Sequence, residues 1–126
     1  MNPYLNLDHI GFTVSSLDKS IEFYTKLLNK EPVMRRMYKE QYVAQVVGYE
    51  NVEMDCAFFN LPNNTILELI EYYDPYRGTV DMESYNVGNS HLCLVVENME
   101  EEVERIKDFV HMITDGIAVS EAGPYK

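Results

Sequence analysis

A chain of 126 residues is one small domain with enough length to bury a sizeable core. Its 21 acidic residues against 10 basic ones give a formal charge of -11, which excludes nucleic acid and anionic membrane surfaces as partners and leaves a small molecule or another protein. No basic segment followed by an apolar run opens the chain and no apolar run is long enough to span a bilayer, so the sequence predicts a soluble, cytoplasmic protein.

From Ile10 to Val14 large apolar residues alternate with His9, Gly11 and Thr13, the period of a strand with one packed face and one open face. His9 falls on the face opposite Ile10, Phe12 and Val14. Ser15 or Ser16 can cap a helix in which Leu17, Ile21, Tyr24, Leu27 and Leu28 recur at helical spacing, with Asp18 in the dipole-favoured first turn. Asn29 and Lys30 end that helix, and Glu31-Pro32 turns the chain into an extended run from Val33 to Tyr38. The segment Glu40 to Gly48 reads as a short helix, although Val43, Val46 and Val47 would also suit a strand. Val52 to Leu61 and Ile66 to Tyr73 form a hairpin through Pro62-Asn63-Asn64-Thr65, whose residue types supply the backbone angles of a tight turn.

After Asp74-Pro75 neither period holds until about Val87, which makes this stretch a connecting loop between two halves. Ser90 to Glu97 then reads as a strand, and Asn98 caps a helix with Glu100, Glu101 and Glu102 in its first turn and Met99, Val103, Ile106 and Val110 as its packed stripe. Ile113 to Glu121 follows as a further strand. Strand, histidine, cap and helix have thus occurred twice, around His9 and again around His91, as a repeat of layout rather than of residues. Cys56 and Cys93 lie far apart and form no Cys-x-x-Cys pair, so the sequence predicts two buried thiols, not a disulfide framework or a cysteine zinc site.

Four stretches in this order carry a resemblance: Leu7 to Leu28, the hairpin ending Thr65-Ile66-Leu67-Glu68-Leu69-Ile70-Glu71-Tyr72, Asn89-Ser90-His91-Leu92-Cys93-Leu94, and Ser120-Glu121-Ala122-Gly123-Pro124-Tyr125-Lys126. The chain resembles the vicinal oxygen chelate superfamily, which holds glyoxalase I, methylmalonyl-CoA epimerase, bleomycin resistance proteins and extradiol dioxygenases. The resemblance implies an α+β fold of two βαβββ modules, the second incomplete at the C-terminus, forming a curved mixed sheet around a cleft with helices outside. Module one would span about 4–76, the loop 77–88 and the partial second module 89–126. By position, the resemblance implies His9, Glu68 and His91 as metal ligands. Strand parity agrees for two of them, since Glu68 lies opposite Leu67 and Leu69 and His91 opposite Leu92 and Leu94. Two imidazoles and a carboxylate suit zinc, nickel, cobalt, manganese or iron.

The family's fourth ligand, a glutamate on the final strand that also moves protons, has no match in these residues, so no catalytic residue is assigned. The activity implied is a lyase or epimerase reaction by proton transfer beside a metal-coordinated carbonyl. Two alternatives stay open: a non-catalytic binding protein of bleomycin-resistance type, and an extradiol-type dioxygenase. Many relatives pair through their modules, which implies a homodimer. Arg35 and Arg36 can reach a substrate anion or form a solvated pair, Tyr72, Tyr73, Tyr76 and Tyr85 are divided between packing and lining a pocket, and His111 is expected in solvent.

Overall fold

The computed structural model describes residues 2–121, which divide into two compact units at Val80/Asp81. The first unit runs β1 (His9–Thr13), α1 (Leu17–Leu28), β2 (Met34–Tyr38), α2 (Gln41–Val47), β3 (Glu53–Asn60) and β4 (Ile66–Asp74). The sheet order is β1-β4-β3-β2; β1 runs parallel to β4 while the other neighbours are antiparallel. This is a mixed α+β unit with the strand and helix sequence expected for one βαβββ module, α2 being inserted after its second strand.

Local chemistry fixes each element. Ser16 caps α1, its hydroxyl accepting from the Lys19 amide at 3.3 Å, and Asn29 closes the helix in the left-handed region at φ 52°. Asn63 and Asn64 take φ 61° and 57° in the β3–β4 turn, a conformation asparagine tolerates better than most residues. Alternation does the rest. Leu67 and Leu69 of β4 and Ala57 and Phe59 of β3 point to one face, where they bury completely with Leu17 against α1. The opposite face is half-covered by α2, whose Val43 and Ala44 pack with Val52, Met54 and Cys56. The segment with an ambiguous period is therefore a helix, and its valines find their partners on the sheet instead of along a ladder.

The second unit contains one regular element among the described residues, α3 (Met99–Ile106), capped by Asn98, whose side chain accepts from the Glu101 amide at 3.0 Å. Of its apolar stripe Met99 is exposed and Val103, Ile106 and Val110 are partly buried, and no residue of α3 is fully buried. The strands expected over 90–97 and 113–121 do not form. The reason lies in the sheet order of the first unit. There β1 and β2 are the two edges and never touch; each depends on the β3–β4 hairpin for its hydrogen bonds. The segments 90–97 and 113–121 are the counterparts of those two edges, and no hairpin counterpart exists for them among the described residues. Ala122 to Lys126, which ends the fourth matching stretch, lies outside the described residues.

Candidate metal and ligand site

The parallel pairing of β1 with β4 sets Gly11 beside Glu68 and His9 beside Ile66, so His9, Gly11, Glu68 and Ile70 share the face turned away from α1. Across that junction His9 Nε2 lies 3.3 Å from Glu68 Oε2. The other ring nitrogen, Nδ1, is 2.7 Å from Asp8 Oδ2. The imidazole is half-exposed, whereas the Glu68 side chain retains only 15% exposure. A Cβ at Gly11 would stand 3.7 Å from Glu68 Oε2 and from Ile70 Cδ1, so a longer side chain there would press on the carboxylate.

Cys56 occupies the same face of β3, pairing with Ile70 while its neighbour-but-one Phe58 pairs with Glu68. It is fully buried, and desolvation together with the nearby Glu68 carboxylate pushes its thiol up to about 12. In the metal-free fold it is held as a neutral thiol. Burial also raises the Tyr72 phenol, further along the same face of β4.

The face toward α1 holds two buried carboxylates that parity alone places in the core, Glu71 with Leu67 and Leu69, and Asp55 with Ala57 and Phe59. Both are satisfied. Glu71 accepts the Leu17 amide at 2.8 Å, the start of α1, and pairs with Arg77 at 3.1 Å. Arg77 in turn donates to the backbone carbonyls of Tyr72 and Ser15 at 2.8 and 2.9 Å, binding the connector to β4 and to the β1–α1 junction. Asp55 accepts from Arg35 Nε and Nη2 at 3.1 and 2.8 Å, and Arg35 reaches Asp18 of α1 at 2.6 Å. The Arg35 guanidinium is engaged between two carboxylates, which push its pKa above its ordinary range. Arg36, one residue on, pairs with Glu40 and lies 4.5 Å from the Tyr38 ring centre. Both arginines thus serve the scaffold. These acid–arginine clamps were detectable in principle, because a carboxylate at a core parity position requires a partner.

A cleft of about 290 Å³ opens at the far end of β1 and β4, lined by Thr13, Tyr49, Tyr72, Pro75, Tyr76, Arg77 and Gly78. Two of the tyrosines singled out in the sequence, Tyr72 and Tyr76, line it, and Tyr49 joins them edge-on to Tyr72 at 6.4 Å. Tyr73 is partly exposed with Arg77 over its ring at 5.7 Å, and Tyr85 is exposed in the second unit. His91 also belongs to the second unit, where it is exposed and outside any strand; His111 is exposed as expected. Cys93 is exposed, not buried, because the strand that would have packed it does not form.

Of the three predicted ligands, the first unit brings two together. An imidazole nitrogen and a carboxylate oxygen converging at the edge of a dry face form a donor pair suited to a divalent cation. No three histidine, cysteine or acidic side chains come together among the described residues. Among the described residues no helix is long and apolar enough to cross a membrane.

Known proteins resemble this chain in sequence and in fold. A profile of the Glyoxalase/Bleomycin resistance protein/Dioxygenase superfamily matches residues 8–125. Two proteins named lactoylglutathione lyase, from Neisseria meningitidis serogroups A and B, are each 31% identical over 125 residues, covering 97% of this chain and 75% of theirs. The crystal structure of a glyoxalase family protein from Bacillus cereus superposes with a TM-score of 0.68 at 22% identity, over 85% of this chain and 73% of that one. The chain belongs to the glyoxalase, bleomycin resistance protein and dioxygenase superfamily.

Proposed function

We propose that this protein is a glyoxalase-type lyase or epimerase that depends on a divalent metal, zinc, nickel, cobalt, manganese or iron, with His9 and Glu68 of the first unit as two of its ligands. The observation that carries the reading is the 3.3 Å approach of His9 Nε2 to Glu68 Oε2, made by two side chains that parity independently aims at one face. Identity to two proteins named lactoylglutathione lyase supports the reaction class. When bound, such an ion polarises a carbonyl oxygen and acidifies the carbon beside it.

The protein's own groups bind and orient. Glu68, with its side chain only 15% exposed and the Cys56 thiol beside it, supplies a negative charge that attracts a cation, with Oε2 toward His9. The tyrosine-lined cleft offers apolar area and hydroxyls for the substrate, and Arg77 is held at its wall by Glu71. No residue is assigned to the proton transfer itself. The proposal includes a cytoplasmic homodimer. Its support is that β1 and β2 are open sheet edges in the first unit, with Val33, Met34 and Met37 exposed beside β2.

The same cleft supports a second reading, a binding module of bleomycin-resistance type that sequesters a small molecule without turnover. An assay separates the two. Metal-loaded protein is offered the glutathione hemithioacetal of methylglyoxal, and formation of lactoylglutathione is followed for the parent and for Glu68→Gln. Turnover by the parent with at least a hundredfold loss in the variant supports the lyase. Saturable ligand binding without turnover supports the module.

A further inference from the structure

The contacts of His9 are asymmetric, and the asymmetry assigns a proton. Nδ1 lies 2.7 Å from Asp8 Oδ2, within the range of a charge-assisted hydrogen bond, whereas Nε2 lies 3.3 Å from Glu68 Oε2, beyond the usual N–H···O range. An ionised carboxylate only accepts, so the short contact requires the hydrogen on Nδ1. We infer that Asp8 is a positioning residue which holds His9 in the Nδ1–H tautomer and leaves the Nε2 lone pair aimed at Glu68.

Asp8 is itself anchored for this task. Its carbonyl accepts the Ile66 amide at 3.0 Å, fixing the backbone one residue before β1 begins. Since neighbouring residues inside a strand point to opposite faces, only a residue just outside the strand can turn its side chain back onto the next one. With the proton on Nδ1, the neutral ring and Glu68 present two electron-rich atoms to each other across 3.3 Å. A divalent cation coordinated by both atoms would make that approach favourable. A carboxylate that orients a histidine from behind is how proteins tune imidazole ligands generally. Here the residue doing so is adjacent in sequence and costs the fold nothing, because its side chain is exposed.

The inference deepens the proposed function and rests on it only for the role of His9 as a ligand. The test reads the tautomer directly. Long-range nitrogen-15 NMR of the metal-free protein is recorded at alkaline pH, where an ordinary imidazole is neutral, on the parent, Asp8→Ala and Asp8→Asn. His9 should show the Nδ1–H pattern in the parent, shift toward Nε2–H in Asp8→Ala, and recover in part in Asp8→Asn, whose side-chain oxygen still accepts. Zinc or nickel titrations on the same three proteins should show affinity weakened about tenfold in Asp8→Ala and less in Asp8→Asn. An Nε2–H pattern in the parent, or one unchanged in both variants, overturns the inference. The predicted NMR pattern in a protein that takes up no metal upholds the tautomer and removes the proposed function instead.

Discussion

Two regions of this molecule share one plan, a histidine-bearing strand segment, an asparagine or serine cap, and an amphipathic helix, yet only one of them becomes a sheet. In the first unit β1 leads into α1 and both lie against the β3–β4 hairpin, which buries Phe59, Leu67 and Leu69 completely. In the second unit α3 forms from its own cap and carries no buried residue, while the segments around it stay irregular. The difference teaches that capping and periodicity suffice to make a helix, whereas a strand exists only through its neighbours. The hairpin is the element that turns an edge segment into an edge strand.

The strongest way to break this comparison is to damage the hairpin. Phe59→Ala should cost about 3–5 kcal/mol in chemical denaturation, because it empties the centre of the α1 face. Val103→Ala in α3, at a partly buried position, should stay within about 1 kcal/mol. Amide exchange supplies the local picture, with β3 and β4 protected to near the global stability of the unit and residues 90–97 exchanging by orders of magnitude faster. A smaller effect is expected at the α1 junction. Glu71→Ala leaves the buried Leu17 amide and Arg77 without their carboxylate and should lower stability by about 2 kcal/mol, whereas Glu71→Gln should lose roughly half as much by keeping an acceptor.

The legible part of the fold was the local part. Parity placed His9 opposite Ile10 and Phe12 and Glu68 opposite Leu67 and Leu69, and the Pro62–Thr65 turn marked the hairpin. What parity cannot supply is adjacency. That β1 lies beside β4, which alone brings His9 to Glu68, is a pairing between residues almost sixty positions apart, and it came through the family resemblance. The helix α2 was ambiguous because seven residues with three valines suit either state, and the open sheet face decided between them. The strand expected over Ser90–Glu97 does not form, because its alternation has no neighbouring strand to pair with among the described residues. Arg35 and Arg36 read as a solvated pair more than as anion ligands, and charge alone does not reveal that Asp55 and Asp18 engage the first and Glu40 the second.

The buried thiol sharpens the contrast by pH. Cys56 is raised in the fold from 9.0 to about 12, so the folded state holds its proton more tightly than the unfolded chain does. Its contribution is therefore complete below about pH 9 and is lost as pH rises toward 12, with a slope of up to about 1.4 kcal/mol per pH unit. Cys56→Ala should flatten the alkaline limb of the stability curve, read by denaturation between about pH 8 and 11. The smallest effect concerns the caps. Asn98→Ala should cost α3 about 1 kcal/mol, visible as fraying by exchange, and Ser16→Ala should cost α1 a similar amount that the packed face of the first unit partly conceals.

The central claim, the proposed metal centre with His9 and Glu68 as two of its ligands, is tested most directly by elemental analysis of untagged protein purified without chelators, for the parent, His9→Ala and Glu68→Gln. The account predicts close to one equivalent of a divalent transition metal per chain in the parent and its loss in both variants. A parent that holds no metal after incubation with zinc, nickel or manganese, or variants that retain a full equivalent, would contradict it.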